Sequence, residues 1–295
     1  MENREAKLLA SLAAVYIIWG STYLAMRYAV AEIPPFLVSA GRYSLAGAVL
    51  FAVGVRRGKV WPSARAWRRA APVGVFLFVG GNGLVGIAEQ SVPSGGAAVV
   101  CATMPLWVGL MTSLRRGSEA PTRREWGTLV LGFIGVVVLM GGPSLAGKPI
   151  HVVAILAAPI CWGFGSLLAR NAKTEPGDPL LAPALQMLTG GAACMVAALL
   201  HGDSFRIHAS SHAWTAFAYL FVAGSLVGVT AYNYLLRTAR PVVATSYAFV
   251  NPILAVLIGA ALSHEPLGWT TVVANVLIVV AVMLALTKRR QSGAK

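Results

Sequence analysis

The chain has 295 residues, of which 57% are hydrophobic and only 12% charged, with a mean hydropathy of +0.71. Too little polar surface remains for a soluble globular domain, and ten lipid-spanning helices of about 20 residues would use roughly two thirds of the chain. The net charge of +14 does not indicate nucleic acid, because the Lys and Arg residues sit in clusters between apolar runs and not along one face.

In chain order, the first five predicted spans are Leu8–Val30, Phe36–Val55, Ala70–Ala88, Gly95–Leu114 and Trp126–Gly142. The second five are Ile150–Ala169, Leu180–Leu200, Ala213–Leu236, Pro241–Leu262 and Leu267–Thr287. The segments are continuously apolar and rich in Leu and Ala, which selects helices over the alternating strands of a membrane barrel. The leading MENREAK precedes an apolar run too long for a signal peptide and is expected to stay attached. Cys101, Cys161 and Cys194 all fall inside apolar runs with no paired spacing, so neither disulfides nor a metal site is expected.

Basic residues set the expected orientation. Arg4 and Lys7, the cluster from Arg56 to Arg69, the group from Arg115 to Arg124, Arg170, Lys173, Arg237, Arg240 and the basic C-terminus fall on one side, leaving Lys148 and Arg206 opposite. The positive-inside rule therefore predicts a multi-pass membrane protein with both termini cytoplasmic. The same clusters suit anionic lipid headgroups.

An internal repeat is visible. WGSTYLAMRYA from Trp19 returns as WGFGSLLARNA from Trp162, with Trp, Gly, Leu, Arg and Ala matching at an offset of 143. Arg42 then aligns with Gln186, Trp67 with Trp214, Pro105 with Pro252 and Glu119 with Glu265, at offsets drifting no further than 147. Each unit, 8–142 and 150–287, holds five predicted spans. An odd number reverses the second unit in the membrane, the inverted-topology design from which alternating access follows.

With these residues in place, the chain resembles the drug/metabolite transporter superfamily, specifically metabolite exporters with two EamA-type domains. Trp19 and Gly20, Arg42, Pro105 and Glu119 carry the likeness, and the second unit repeats most of them. The resemblance implies a ten-helix, all-α basket around a central cavity, a place in the bacterial inner membrane, and the export of amino acids or other metabolites, without naming the substrate. The second unit has Gln186 where the first has Arg42, so a single Arg remains at that depth.

Polar and aromatic side chains within the spans mark the expected substrate cavity: Trp19, Tyr23, Arg42, Asn82, Met104, Trp162, Tyr232, Asn233, Tyr247 and Asn251. Aromatic walls with a few hydrogen-bonding groups suit an amphiphilic solute, although Trp and Tyr also form interfacial belts and Asn also ties helices together. Arg42 lies about 9 Å from its span's outer end, counted at 1.5 Å per residue, where it could snorkel, brace helices, pair with Glu89 or bind a substrate carboxylate.

No acidic residue falls near a predicted span centre, and Glu89 is expected to be hydrated at the outer end of the third span. That favours facilitated diffusion or exchange over an ion-driven pump. The five His residues fall at outer loops and span ends, as solvated groups. Pro105 and Pro252 are expected flex points because a proline loosens local helix hydrogen bonding. Gly224 and Gly228 form a small-xxx-small pair for close packing. GGNGLVG around Asn82 lacks the preceding strand and the Lys of a phosphate-binding loop.

No nucleophile-base pair or HExxH spacing supports an enzyme, and short loops offer a receptor or scaffold little recognition surface. The expected partners are a small-molecule substrate and membrane lipid, for a monomer or homodimer without nucleic acid, cofactor or metal. Zwitterionic, including aromatic, amino acids lead, with efflux of amphipathic drugs as the alternative.

Overall fold

The computed structural model describes residues 2–92, 94–115, 120–140, 148–172, 177–254 and 269–286. These residues form helices and connecting turns, with no strand among them. Among the described residues, six helices are long and apolar enough to cross a membrane: α1 (Arg4–Val30), α2 (Pro35–Gly58), α3 (Ala64–Ala88), α7 (Pro149–Asn171), α8 (Leu181–His201) and α9 (Ser211–Thr238). Shorter ones accompany them: α4 (Ser94–Cys101), α5 (Met104–Leu114), α6 (Arg123–Met140), α10 (Pro241–Leu254) and α11 (Trp269–Leu286). The ninth and tenth expected spans are thus described in part. Glu119, His264 and Glu265 lie outside the described residues.

Local chemistry sets the boundaries. Pro35 and Pro149 open α2 and α7 at positions where a missing N–H costs no helix bond. Ser63 caps α3 by accepting from the Ala66 N–H at 3.2 Å, and Ser210 caps α9 by accepting from the Ala213 N–H at 3.3 Å. Gly202 ends α8 with φ of +79°, a left-handed conformation that suits glycine. The Ser63 cap starts α3 before the apolar run at Ala70, and its first turns carry Arg65, Arg68 and Arg69.

Two helices are wound wide. Residues Val75–Gly83 within α3 and Leu220–Val229 within α9 are π-helical, and the Ser225 hydroxyl donates to the Leu220 carbonyl five residues back at 3.1 Å. Such turns are rare and concentrate at functional sites. The two stand 145 residues apart at their starts, within the repeat offset.

Packing runs between the halves of the chain. α1 lies against α9, α3 against α7, α2 along α8, α5 against α10, and α6 along α11. Loop contacts are made at both ends. At the face where α1 ends, termed distal here, Glu32 accepts from the Ser210 N–H at 2.6 Å and its hydroxyl at 2.7 Å, and the Lys148 N–H donates to Ser91 Oγ. At the face where α1 begins, Arg240 pairs with Glu125 at 2.6 Å, and Arg170 donates to the carbonyls of Leu236 and Ala239. Ile17, Leu24, Leu45, Val153, Leu199 and Val222 stay exposed on the flanks, as helices facing lipid require.

Candidate substrate cavity

A cavity of about 110 Å³ lies between the halves. Its walls come from α1 (Trp19, Tyr23), α2 (Arg42), α3 (Asn82), α5 (Met104), α7 (Trp162) and α10 (Tyr247, Asn251). Along α1 the lining runs from Trp19 to Met26, and along α3 from Gly81 to Glu89. The cavity therefore occupies the distal half of the molecule.

Its floor is an aromatic cluster. Trp19 meets Trp162 edge-on at 5.5 Å between ring centroids, Tyr247 at 4.8 Å and Tyr232 at 5.0 Å, while Tyr232 and Tyr247 are 5.4 Å apart. Edge-to-face and tilted pairs at these separations are mutually attractive beyond their buried area. The Trp19 Nε1–H donates to the Gly224 carbonyl at 3.2 Å, a carbonyl within the wide segment of α9. The Tyr232 hydroxyl is 2.7 Å from Ser166 Oγ.

The π segments explain how the indoles reach the centre. A Cβ at Gly81 would sit 2.5 Å from the Trp162 ring, and one at Gly228 would overlap Trp19. Each half thus supplies a tryptophan that packs on a glycine in the other half's widened helix.

Arg42 is 3% exposed and does not snorkel, because it faces the interior. Its guanidinium donates to the Tyr43 hydroxyl and to Asn82 Oδ1, and lies 4.3 Å from the Tyr43 ring centroid. Its Nε is buried without a hydrogen-bond partner. The expected alternative of an Arg42–Glu89 pair is not realised: no ion pair joins them among the described residues, although both line the cavity.

Glu89 corrects a second expectation. It stands one residue beyond α3, yet both carboxylate oxygens are shielded from water and lack a hydrogen-bond partner. Burial pushes its carboxyl up to about 8, and the Arg27 guanidinium opposes that rise in part. Position in the sequence suggested hydration; the packing of α1, α2 and α7 around the end of α3 removes it. Asn251 Oδ1 is another buried acceptor without a partner.

Eight of the ten candidate residues therefore share one cavity. Tyr232 and Asn233 do not line it. Tyr232 stands behind the floor, and Asn233 spends its amide on the Val229 carbonyl at 3.2 Å, bonding within its own helix. Pro105 and Pro252 each follow a lining residue, Met104 and Asn251, and both are buried. Pro105 comes just after a break between α4 and α5, where the Thr103 hydroxyl and N–H both return to the Val100 carbonyl. Sequence reasoning missed Glu89, Cys101 and Pro159 as lining residues; only Glu89, as a lone acid at a span end, carried a signal that could have been followed.

The comparisons agree with this architecture. The model of the EamA-like transporter family matches residues 6–141 and again 149–287. The chain is 39% identical over 279 residues to the "Uncharacterized inner membrane transporter YedA" of Escherichia coli (strain K12), covering 94% of this chain and 90% of that protein. It is 24% identical to the "Uncharacterized transporter YvbV" of Bacillus subtilis (strain 168), over 99% and 95% of the two chains. A protein of known crystal structure shares the fold with a TM-score of 0.76 at 20% identity, over 95% of this chain and 97% of that one. The chain belongs to the EamA-like transporter family and is a multi-pass membrane transporter.

Proposed function

We propose that the protein exports small zwitterionic metabolites, foremost amino acids including aromatic ones, across the bacterial inner membrane by alternating access. The observation that carries this is the pairing of polar groups in one aromatic-walled cavity: a buried guanidinium with an unpaired Nε on one wall, and unpaired acceptors on Glu89 and Asn251. Buried polar groups without partners are costly, and a carboxylate with an ammonium would satisfy both kinds at once.

The reading includes ten spans in two inverted units, 8–142 and 150–287, with both termini cytoplasmic. Its support is the inter-half packing, in which α1 on α9 is matched by α7 on α3, and the equivalent π segments. Under that orientation the cavity faces the periplasm, and the aromatic cluster closes the cytoplasmic route. Of facilitated diffusion and exchange, the buried Glu89 favours exchange.

Purified protein in liposomes, preloaded with one amino acid and given a labelled second, tests the substrate class. Counterflow of labelled aromatic amino acids, lost for their esters, is expected. Flux of amphipathic cations with no amino-acid flux would overturn the reading in favour of drug efflux.

A further inference from the structure

Glu89 remains when the cavity's other groups have been explained. Its carboxylate oxygens are buried and unpartnered, which is untenable for an anion unless a proton or cation joins it. The titratable and charged groups facing it are few. From α1 come Arg27, an exposed guanidinium that acts at a distance, and Tyr23; from α4 comes Cys101; and Arg42 of α2 lines the same cavity. The lining positions of α7 and α10 beside the cavity, Ala158, Pro159 and Asn251, carry no charge. The second half offers no acidic counterpart, since the residues aligned with Glu89 at the repeat offsets fall among Asn233, Tyr234, Leu235 and Leu236. Glu89 is therefore the one carboxyl among the described residues that line the cavity.

We propose that Glu89 is a proton-exchange site, where a proton and the ammonium group of the substrate compete for the same carboxylate, so that export is coupled to proton uptake. This rests on the zwitterion reading above. In the empty cavity the carboxyl is protonated. When the ammonium arrives, the carboxyl O–H bond breaks, its proton passes to water on the side to which the cavity is open, and the carboxylate accepts an N–H of the ammonium. Release reverses the step: the ammonium leaves and the carboxylate takes a proton from the other side. One proton is exchanged per substrate, with no oxidant or co-reactant. Burial raises the affinity of this carboxyl for protons.

Two measurements test this separately from the substrate reading. Infrared titration of the protein in lipid reads the carboxyl C=O band without any substrate. A band that titrates above the usual carboxylate range and is missing in Glu89→Gln is expected; no such band, or one that persists in Glu89→Gln, overturns the proposal. The second is the ratio of amino-acid uptake with an imposed pH gradient to counterflow without one. A ratio well above one in the wild type, kept in Glu89→Asp and falling to about one in Glu89→Gln at whatever residual rate, is expected. A ratio of one in the wild type, or one unchanged in Glu89→Gln, refutes coupling. Absence of any amino-acid flux removes the zwitterion reading and, with it, the competition step, while the infrared band still decides whether Glu89 holds the proton.

Discussion

The Trp19 indole lies against Gly228 so closely that a Cβ there would overlap the ring, and Trp162 stands in the same relation to Gly81. The two contacts exchange partners between the halves: a tryptophan from near the middle of α1 or α7 fills the space opened by a wide turn in α9 or α3. The widened backbone, the missing Cβ and the large ring form one packing unit at each place.

Gly228→Ala and Gly81→Ala should therefore each destabilise the protein by about 1–3 kcal/mol, the usual cost of overpacking a dense core. Thermal unfolding in detergent measures this. Gly127, where an added Cβ meets nothing within 4 Å, is the control, and an equal loss for Gly127→Ala would contradict the packing argument.

Arg42→Ala should weaken substrate affinity roughly tenfold to a hundredfold, the effect of losing one hydrogen bond to a charged group worth about 1.5–3 kcal/mol. Arg42→Lys keeps the charge but cannot hold Tyr43 and Asn82 together with a third partner in a planar fork, so an intermediate loss is expected. Half-saturation concentrations from counterflow give the order; equal affinity in all three proteins would remove Arg42 from the binding site.

Replacing both Pro105 and Pro252 with Ala should leave membrane insertion intact and slow transport. Pro252 lies inside α10 and denies it a backbone hydrogen bond, while Pro105 stands in the first turn of α5, at the break after α4; Ala at both places favours continuous helix and stiffens the elements expected to bend. Unchanged uptake rates in vesicles would refute the hinge role.

Glu32 is held below the usual carboxylate range because the N–H and hydroxyl of Ser210 both donate to it. A depressed folded-state value contributes stability above the ordinary Glu value of about 4.3, and that contribution disappears as pH falls through the folded value. Melting temperature should thus fall in mild acid, and fall less in Glu32→Gln. A variant with the same acid sensitivity as the wild type would place the acid-labile contact elsewhere.

Much of this protein was legible from one dimension. Continuous apolar runs need no tertiary information to declare a membrane chain, because lipid demands that each span satisfy its own backbone. The Trp19 and Trp162 segments revealed the duplication, since an offset between like residues is a property of the sequence itself. Cavity residues such as Trp19, Asn82 and Asn251 were visible because polar or aromatic groups in an apolar run need a reason to be there.

Other features depended on the packed fold. Tyr232 and Tyr247 are the same residue type in neighbouring helices, yet one stands behind the floor and the other lines the cavity, a matter of helix rotation that periodicity does not encode. The π turns in α3 and α9 hold the two glycines on which the indoles of the opposite half pack. Above all, Glu89 at a span end reads as hydrated until three other helices close over it. Composition and periodicity determined that the chain lives in lipid; which side chains lost their water, and which therefore carry chemistry, was decided by contacts between residues far apart in the chain.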